Sequence, residues 1–256
     1  MRDLALSRIK IAGKELEIAR CEAYPERPTI VFLHEALGSV SHWKRFPLKL
    51  AHAAKCNALV YSRVGHGDSE GPVEMRSLSY MDRQARTVLG PILEKLQIPR
   101  PILFGHSEGA VISLFFASAF PNASRALIVE APVITTEAVT VTGMAKIRDA
   151  YETLDLKRRL GRHHRDPDAV FGAFTKPWLA TETGFREFME NLHRVTCPAL
   201  IVQGDRDEYA SVEQSSILAS HVPHARVEIV ANCGHSPHRE HPDAIIDLVC
   251  GFLSSL

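Results

Sequence analysis

Hydrophobic and polar positions along the chain follow two alternating patterns. Short apolar runs rich in β-branched residues end in loops, as is typical of buried parallel strands. These runs cover residues 29–34, 58–61, 102–104, 126–129, 199–202 and 227–230. Amphipathic stretches lie between several of them, and the clearest covers residues 79–96, followed by Pro99 as a helix stop. The alternation predicts a mostly parallel sheet with helices on both faces.

Two segments depart from this alternation. Residues 16–21 follow the pair Gly13-Lys14 and predict the second arm of an antiparallel hairpin at the N-terminal edge. Residues 132–192 contain helical patterns and polar turns but no strand run, and the interval is too long for an ordinary connection. We therefore predict one α/β core, residues 1–131 and 193–256, interrupted by a helical lid at residues 132–192.

Composition narrows the class of ligand. Apolar residues make up 45% of the chain and charged residues 23%, which is enough for a large core and a polar surface. Lys and Arg together number 30, as do Asp and Glu, so the formal net charge is zero. This balance favours neither a nucleic-acid partner nor an anionic membrane. A small-molecule substrate is the expected partner.

The chain carries no pattern for secretion or membrane insertion. Its first residues lack an apolar segment of secretory length, and no run of about 18 uncharged apolar residues occurs. The five cysteines are scattered, odd in number and without a Cys-x-x-Cys pair, which is typical of a reducing compartment. We expect a cytoplasmic protein. The sequence does not determine its oligomeric state, and a homodimer is left open.

The sharpest local motif is Gly105-His106-Ser107-Glu108-Gly109, directly after the apolar run at residues 102–104. A strong helical pattern follows it at residues 110–119. This layout places a serine on a strained turn between a strand and a helix, with backbone donors of the helix N-terminus nearby. Ser107 is the candidate nucleophile.

A serine nucleophile needs a base, and the base needs an orienting acid. His235 lies in a loop after the last predicted strand, beside a glycine, and is the candidate base. Asp207 and Asp205 both follow the predicted strand at residues 199–202, while Glu130 ends the one at 126–129. Asp207 is the favoured acid, with the other two as alternatives.

These motifs together resemble the α/β-hydrolase family, in its serine-nucleophile, lid-bearing, esterase-like branch. The resemblance runs from about residue 30 to residue 253, apart from the lid. The family's oxyanion loop usually reads His-Gly-x-x-Gly, and here it is His34-Glu35-Ala36-Leu37-Gly38, with Glu35 in the place of a glycine. By position, the resemblance implies an oxyanion hole made by the backbone N–H groups of Ala36 and Glu108. The family's turn Arg-x-Gly-x-Gly-x-Ser appears as residues 63–69 and is interpreted as structural.

The resemblance implies hydrolysis of a small carboxylic ester through an acyl-enzyme, with Ser107 as nucleophile, His235 as base and Asp207 as orienting acid, and without a cofactor. A carbon–carbon bond hydrolase, a lactonase or an acyltransferase would use the same three residues. A non-catalytic ligand-binding protein of the same fold is the alternative from another class.

Five residues are candidates to line the substrate pocket: Glu35, Trp43, His106, Phe174 and Trp178.

The remaining polar clusters have plainer explanations than a functional site. A second set suggests a metal site but fits no closed zinc pattern: Cys233, His235, His238 and His241. We predict no metal. A third set is interpreted as a solvated turn of the lid: His163, His164, Asp166 and Asp168. The basic run 157–159 is interpreted as a solvated helix face.

Overall fold

The computed structural model describes residues 4–175 and 185–256. Its centre is an eight-stranded sheet with the strand order β1-β2-β4-β3-β5-β6-β7-β8. The strands are β1 Ala5–Ile11, β2 Lys14–Cys21, β3 Thr29–Leu33, β4 Asn57–Tyr61, β5 Ile102–His106, β6 Ala126–Glu130, β7 Ala199–Gly204 and β8 Ala225–Val230. β1 and β2 form the predicted antiparallel hairpin, β2 runs antiparallel to β4, and the remaining pairs are parallel.

Helices cover both faces of this sheet. They are α1 Phe46–Ala53, α2 Leu78–Arg83, α3 Gly90–Lys95, α4 Glu108–Ala119, α5 Ala138–Thr153, α6 Leu156–Leu160, α7 Pro167–Thr175, α8 Phe185–Asn191, α9 Val212–His221, α10 Pro237–Glu240 and α11 Pro242–Ser254. A π-helical stretch, Gln84–Leu89, joins α2 to α3, so residues 78–95 form one continuous helical segment. The predicted α/β fold with a mostly parallel sheet and flanking helices is confirmed.

The alternation of side chains along the central strands builds two cores. In β3, Val31 and Leu33 pack with α2, α3 and α4 on one face, while Ile30 and Phe32 pack with α1 and α11 on the other. Because both faces are covered, these strands are apolar at every position rather than at every second one. Because β3, β5, β6 and β7 run parallel, their carboxyl ends lie at one edge of the sheet, where polar side chains can gather.

Between β6 and β7 the chain leaves the sheet and forms α5 to α8; we refer to the described residues of this interval, 131–175 and 185–198, as the β6–β7 segment. A third, smaller apolar cluster joins this segment to the core, with Leu160, Val170 and Phe171 packing against Leu37. Within it the rings of Tyr151 and Phe171 stack at a centroid distance of 3.7 Å. In the described part of the chain, no helix is long and apolar enough to cross a bilayer.

Two glycines allow β5 and α4 to approach closely. A Cβ atom on Gly105 would lie 2.3 Å from the carbonyl oxygen of Gly109, and one on Gly109 would lie 2.0 Å from the carbonyl oxygen of Leu33. Real Cβ atoms do not approach backbone oxygens so closely. The glycines on either side of Ser107 are therefore required by packing, and they bring the start of α4 against the end of β3.

Gly109→Ala should lower the free energy of unfolding by about 1–3 kcal/mol, because the added methyl group forces the backbone of β3 and α4 apart. Gly251→Ala in α11 is the matched control, since a Cβ there meets nothing within 4 Å. In that helix, alanine should be neutral or stabilise by about 0.5–1 kcal/mol. Urea denaturation of the two variants measures the difference. Equal stability of both would contradict the close approach.

Candidate active site

Ser107 lies between β5 and α4 in a backbone conformation that is unusual for a residue with a side chain. Its φ is 54° and its ψ is −115°. The Ser107 N–H donates to the carbonyl oxygen of Glu130 at 2.8 Å, and the Ser107 carbonyl accepts from the N–H of Ala110 at 3.0 Å. A positive φ in a residue other than glycine costs of order 1–3 kcal/mol, so the surrounding hydrogen bonds must hold it in place. The result is a serine on a sharp turn above the carboxyl end of β5.

Asp207 and His235 form a hydrogen-bonded pair. The His235 ring lies with Nδ1 2.8 Å from Oδ2 of Asp207. The other carboxylate oxygen, Oδ1, accepts the backbone N–H groups of Tyr209 at 2.7 Å and Ala210 at 3.2 Å, and Gln203 donates to Oδ2. Burial alone would raise the pKa of Asp207, but His235 and the two N–H groups together hold it below its usual value. The carboxylate is thus charged and fixed against one edge of the imidazole.

The two alternative acids lie elsewhere. Asp205 is exposed and accepts the backbone N–H of Cys233. Glu130 is fully buried, and its two carboxylate oxygens accept the backbone N–H and the ring Nδ1–H of His238, at 2.8 and 2.5 Å. Of the three candidate acids, only Asp207 is brought to His235.

Ser107 and His235 face the same cavity, whose volume is about 370 Å³. They do not share a direct hydrogen bond in this structure; such bonds are often long without substrate and shorten when it binds. Apolar side chains of the β6–β7 segment form one wall: Val133, Met144, Ile147, Leu156, Leu160 and Phe174. Polar and charged side chains also line the cavity, among them Glu35, His42, Arg159, His163, Glu208 and Arg239.

Arg63, directly after β4, orients the loop that follows β3. Its guanidinium is buried and donates to the carbonyl oxygens of His34 and Glu35, the latter at 2.9 Å. The Glu35 carbonyl also accepts the N–H of Gly38 at 3.0 Å. In a trans peptide the C=O and the following N–H point in opposite directions. Holding the Glu35 carbonyl toward Arg63 therefore turns the N–H of Ala36 away from it, and Ala36 lines the cavity.

A buried ion-pair network joins this loop to the start of α4. The Glu108 carboxylate lies 2.8 Å from Nη2 of Arg63 and 2.7 Å from Nε of Arg76, and all three side chains are at most 5% exposed. Buried charges remain stable only when they are paired in good geometry. Arg63 thus contacts both Glu108 and the loop of Ala36, so the two candidate oxyanion donors share one anchor.

The Glu35 side chain turns back over Gly38, where a Cβ would lie 2.3 Å from its Oε2. Its Oε2 is 3.8 Å from Nδ1 of His106. Burial would raise the pKa of Glu35, but His106, His42 and His34 hold it well below its usual value. Burial lowers the pKa of His106, but the carboxylates of Glu35 and Glu130 outweigh this and raise it. Glu35 is therefore a charged group at the cavity wall, facing His106.

His106 contacts the loop that carries His235. Its Nε2 donates to the backbone carbonyl of His235 at 2.7 Å. Among the described residues, one group could bring its ligand atoms within 4.8 Å of one another around a metal: His106, Glu130 and His238. The bonds from His238 already use both oxygens of Glu130, and a hydrogen-bonded pair accounts for this geometry. The four residues considered as a metal set do not converge, since His235 contacts Asp207 instead.

Other predicted residues differ in where they lie. Phe174 lines the cavity. Trp43 does not; it is buried in the core against the rings of Phe32 and His238, at centroid distances of 5.3 and 4.6 Å. Trp178 lies outside the described residues. Trp43 follows the oxyanion loop in sequence, but its short helical turn carries the indole inward.

The expectation of a solvated turn at residues 163–168 is wrong for His164. Its side chain is buried, accepts the N–H of Gly67 at Nδ1 and donates from Nε2 to the carbonyl of Leu37. Arg159, in the basic run, lines the cavity instead of facing only solvent. Neither contact had a signal in the sequence, because both depend on how the β6–β7 segment docks.

Comparison with known proteins matches the sequence of this chain to one family. The profile of the Alpha/beta hydrolase family covers residues 30–248. A 2-hydroxy-6-oxononadienedioate/2-hydroxy-6-oxononatrienedioate hydrolase 2 of Pseudomonas putida is 25% identical over 274 residues, 96% of this chain and 95% of that protein. Monoacylglycerol lipase abhd6-A of Xenopus laevis is 35% identical over 78 residues, 30% of this chain and 23% of that protein.

Among solved structures, the chain resembles the 2-hydroxy-6-oxo-6-phenylhexa-2,4-dienoate hydrolase of Rhodococcus sp. strain RHA1. The TM-score is 0.81 at 17% identity, over 98% of this chain and 99% of that one. At this identity the likeness concerns the fold.

Asp207→Asn should cost more stability near neutral pH than at about pH 3. A carboxyl group whose folded pKa is depressed contributes stability that is fully present above its unfolded pKa, about 3.9, and lost as the pH falls through the folded pKa. Urea unfolding of wild type and variant at both pH values measures this difference. An equal loss at both would contradict the depressed pKa of Asp207.

Proposed function

Because the chain belongs to the alpha/beta hydrolase family and is a hydrolase on that fold, we propose that it cleaves a small carboxylic ester through an acyl-enzyme on Ser107. The observation that carries this proposal is the Asp207–His235 hydrogen bond, with His235 and Ser107 lining the same cavity. Asp207 accepts a hydrogen bond from Nδ1–H of His235, which fixes the tautomer whose Nε2 carries no proton and can act as a base. Asp207, His235 and Ser107 would then supply the acid, the base and the nucleophile that acyl transfer requires.

In the first step the oxygen of Ser107 attacks the ester carbonyl while its proton passes to Nε2 of His235. The tetrahedral intermediate collapses, and the leaving alcohol takes that proton. In the second step a water molecule attacks the acyl-enzyme and gives a proton to His235. The acid leaves, and the proton returns to Ser107. No cofactor takes part in this scheme.

The backbone N–H groups of Ala36 and Glu108 would bind the oxyanion. The orientation of the Glu35 carbonyl toward Arg63 supports the first, and the position of Glu108 at the start of α4 supports the second. Loss of one such donor costs about 10²–10³ in rate. Glu35 stands in the place of a family glycine at a φ outside the left-handed region, so this position does not require glycine for its backbone conformation.

The cavity favours a small substrate. Its volume of about 370 Å³ lies at the lower end of the range for small-molecule sites. We propose that residues 132–192 act as the lid, since they supply the apolar wall against which an acyl chain would pack. A cytoplasmic location belongs to the same proposal.

Hydrolysis of a carbon–carbon bond in a 2-hydroxy-6-oxo dienoate is the second candidate, and two observations favour it. A relative of that name covers almost the whole chain. Arg159 and Arg239 line the cavity, and neither forms an ion pair with a described residue. A carboxylate-bearing substrate would pair with such guanidinium groups.

Labelling with a fluorophosphonate probe tests the nucleophile. Wild type should label, while Ser107→Ala and His235→Ala should not, since the probe reacts with an activated serine. Both substitutions should lower ester hydrolysis by about 10⁴-fold or more. Circular dichroism confirms that each variant is folded. A folded wild type that fails to label would contradict the assignment of Ser107.

A substrate panel separates the candidate reactions. p-Nitrophenyl esters of increasing acyl length, a lactone and a 2-hydroxy-6-oxo dienoate are compared by kcat/KM. We expect the highest value for a short- to medium-chain ester. Preference for the dienoate by tenfold or more would favour the carbon–carbon candidate. A rise in Tm with these ligands but no turnover would favour a ligand-binding protein.

A further inference from the structure

His164 contacts the oxyanion loop directly from the β6–β7 segment. It follows α6, and its side chain is 5% exposed. Its Nδ1 lies 3.0 Å from the backbone N of Gly67, and its Nε2 lies 2.8 Å from the carbonyl oxygen of Leu37. An N–H group can only donate and a carbonyl can only accept. The ring is therefore neutral, with its proton on Nε2, and burial favours this form because it lowers the pKa of His164.

The contact completes a series along the oxyanion loop, which we define as residues 34–38. Four successive carbonyls each have a side-chain nitrogen within 3.1 Å. Arg63 binds those of His34 and Glu35, and His66 lies 3.1 Å from that of Ala36. His164 binds that of Leu37. Arg63 and His66 both come from the loop after β4, so His164 is the donor in this series that comes from the β6–β7 segment.

The direction of each peptide in a loop limits the direction of the next. The Glu35–Ala36 peptide is held by Arg63, and the Leu37–Gly38 peptide is held by His164. The N–H of the second peptide, on Gly38, donates to the Glu35 carbonyl at 3.0 Å. If the Leu37 carbonyl lost its donor, it would be a buried acceptor without a partner and would turn toward water. The Gly38 N–H would turn with it, and the Glu35–Ala36 peptide, which directs the Ala36 N–H toward the cavity, would lose one of its hydrogen bonds.

We propose that His164 is a positioning residue that makes the oxyanion loop depend on docking of the β6–β7 segment. This inference rests on the proposed function, in which Ala36 N–H binds the oxyanion. When the segment is docked, Nε2–H of His164 holds Leu37 and the loop is ready for the tetrahedral intermediate.

The neighbours of His164 provide a contrast. The Nδ1 of His163 lies 2.7 Å from the hydroxyl of Ser41, and Arg165 lies 3.4 Å from Asp68. Both partners are outside the oxyanion loop. The Arg165 and Asp68 side chains are 50% and 64% exposed, so their pairing contributes little to docking. Arg165→Ala is therefore a control next to His164 that leaves the oxyanion loop untouched.

The test uses three variants of His164 and one readout that separates catalysis from binding. His164→Ala removes both contacts. His164→Gln places an amide N–H at about the reach of Nε2 and can restore the bond to Leu37. His164→Asn places an amide oxygen near the position of Nδ1 and can restore only the bond from Gly67. We measure kcat and KM on a p-nitrophenyl ester, together with Tm.

We expect His164→Ala to lower kcat by about 10- to 100-fold with KM changed by less than about threefold, since a misplaced oxyanion donor affects the transition state rather than substrate binding. Gln should recover most of kcat and Asn little of it. Arg165→Ala should retain wild-type kcat.

Three results would overturn the inference. A His164→Ala variant with unchanged kcat, or with a changed KM alone, would show that His164 only shapes the cavity. Equal recovery by Gln and Asn would show that the bond to Leu37 has no special part. Wild-type protein that neither labels at Ser107 nor hydrolyses any ester would overturn the proposed function and the inference with it, whereas an active wild type limits the failure to His164.

Discussion

The buried ion pair between Arg63 and Glu108 is the interaction on which the arrangement of the site depends. Arg63 lies two residues after β4, Glu108 begins α4, and the same guanidinium binds the carbonyls that follow β3. Three elements that are distant in sequence thus meet at one charged group with almost no contact with water. Burying it is costly unless its donors find acceptors. Each of the three guanidinium nitrogens of Arg63 has one, since Nε donates to the hydroxyl of Tyr80 while Nη1 and Nη2 bind the carbonyls and Glu108.

The fold could be predicted because it follows from local patterns. Apolar runs predicted the central strands, and residues 16–21 after Gly13-Lys14 predicted the second arm of the hairpin at the N-terminal edge. The helical segment at 78–95 lies within one residue of its predicted range at each end, although the π-helical stretch within it carried no sequence signal. Strand periodicity is a property of neighbouring residues, which a single sequence contains in full.

The site was less accessible to such reasoning. Chain order left Asp207, Asp205 and Glu130 open, because all three follow strands that end at the same edge. The pairing of β5 with β6 sets His106 opposite Glu130, and α10 places His238 against the Glu130 carboxylate. Likewise, the docking of α6 decides that His164 is buried. Contacts between distant segments depend on strand register and side-chain packing, and a short sequence motif specifies neither of them.

The conformation of Ser107 has a consequence for the history of such a protein. Its positive φ is tolerated more easily by glycine than by serine. Selection for folding stability alone would therefore favour glycine at position 107. The fold would be kept, and the proposed nucleophile would be lost. Serine on this turn therefore trades folding stability for the chemistry proposed for it.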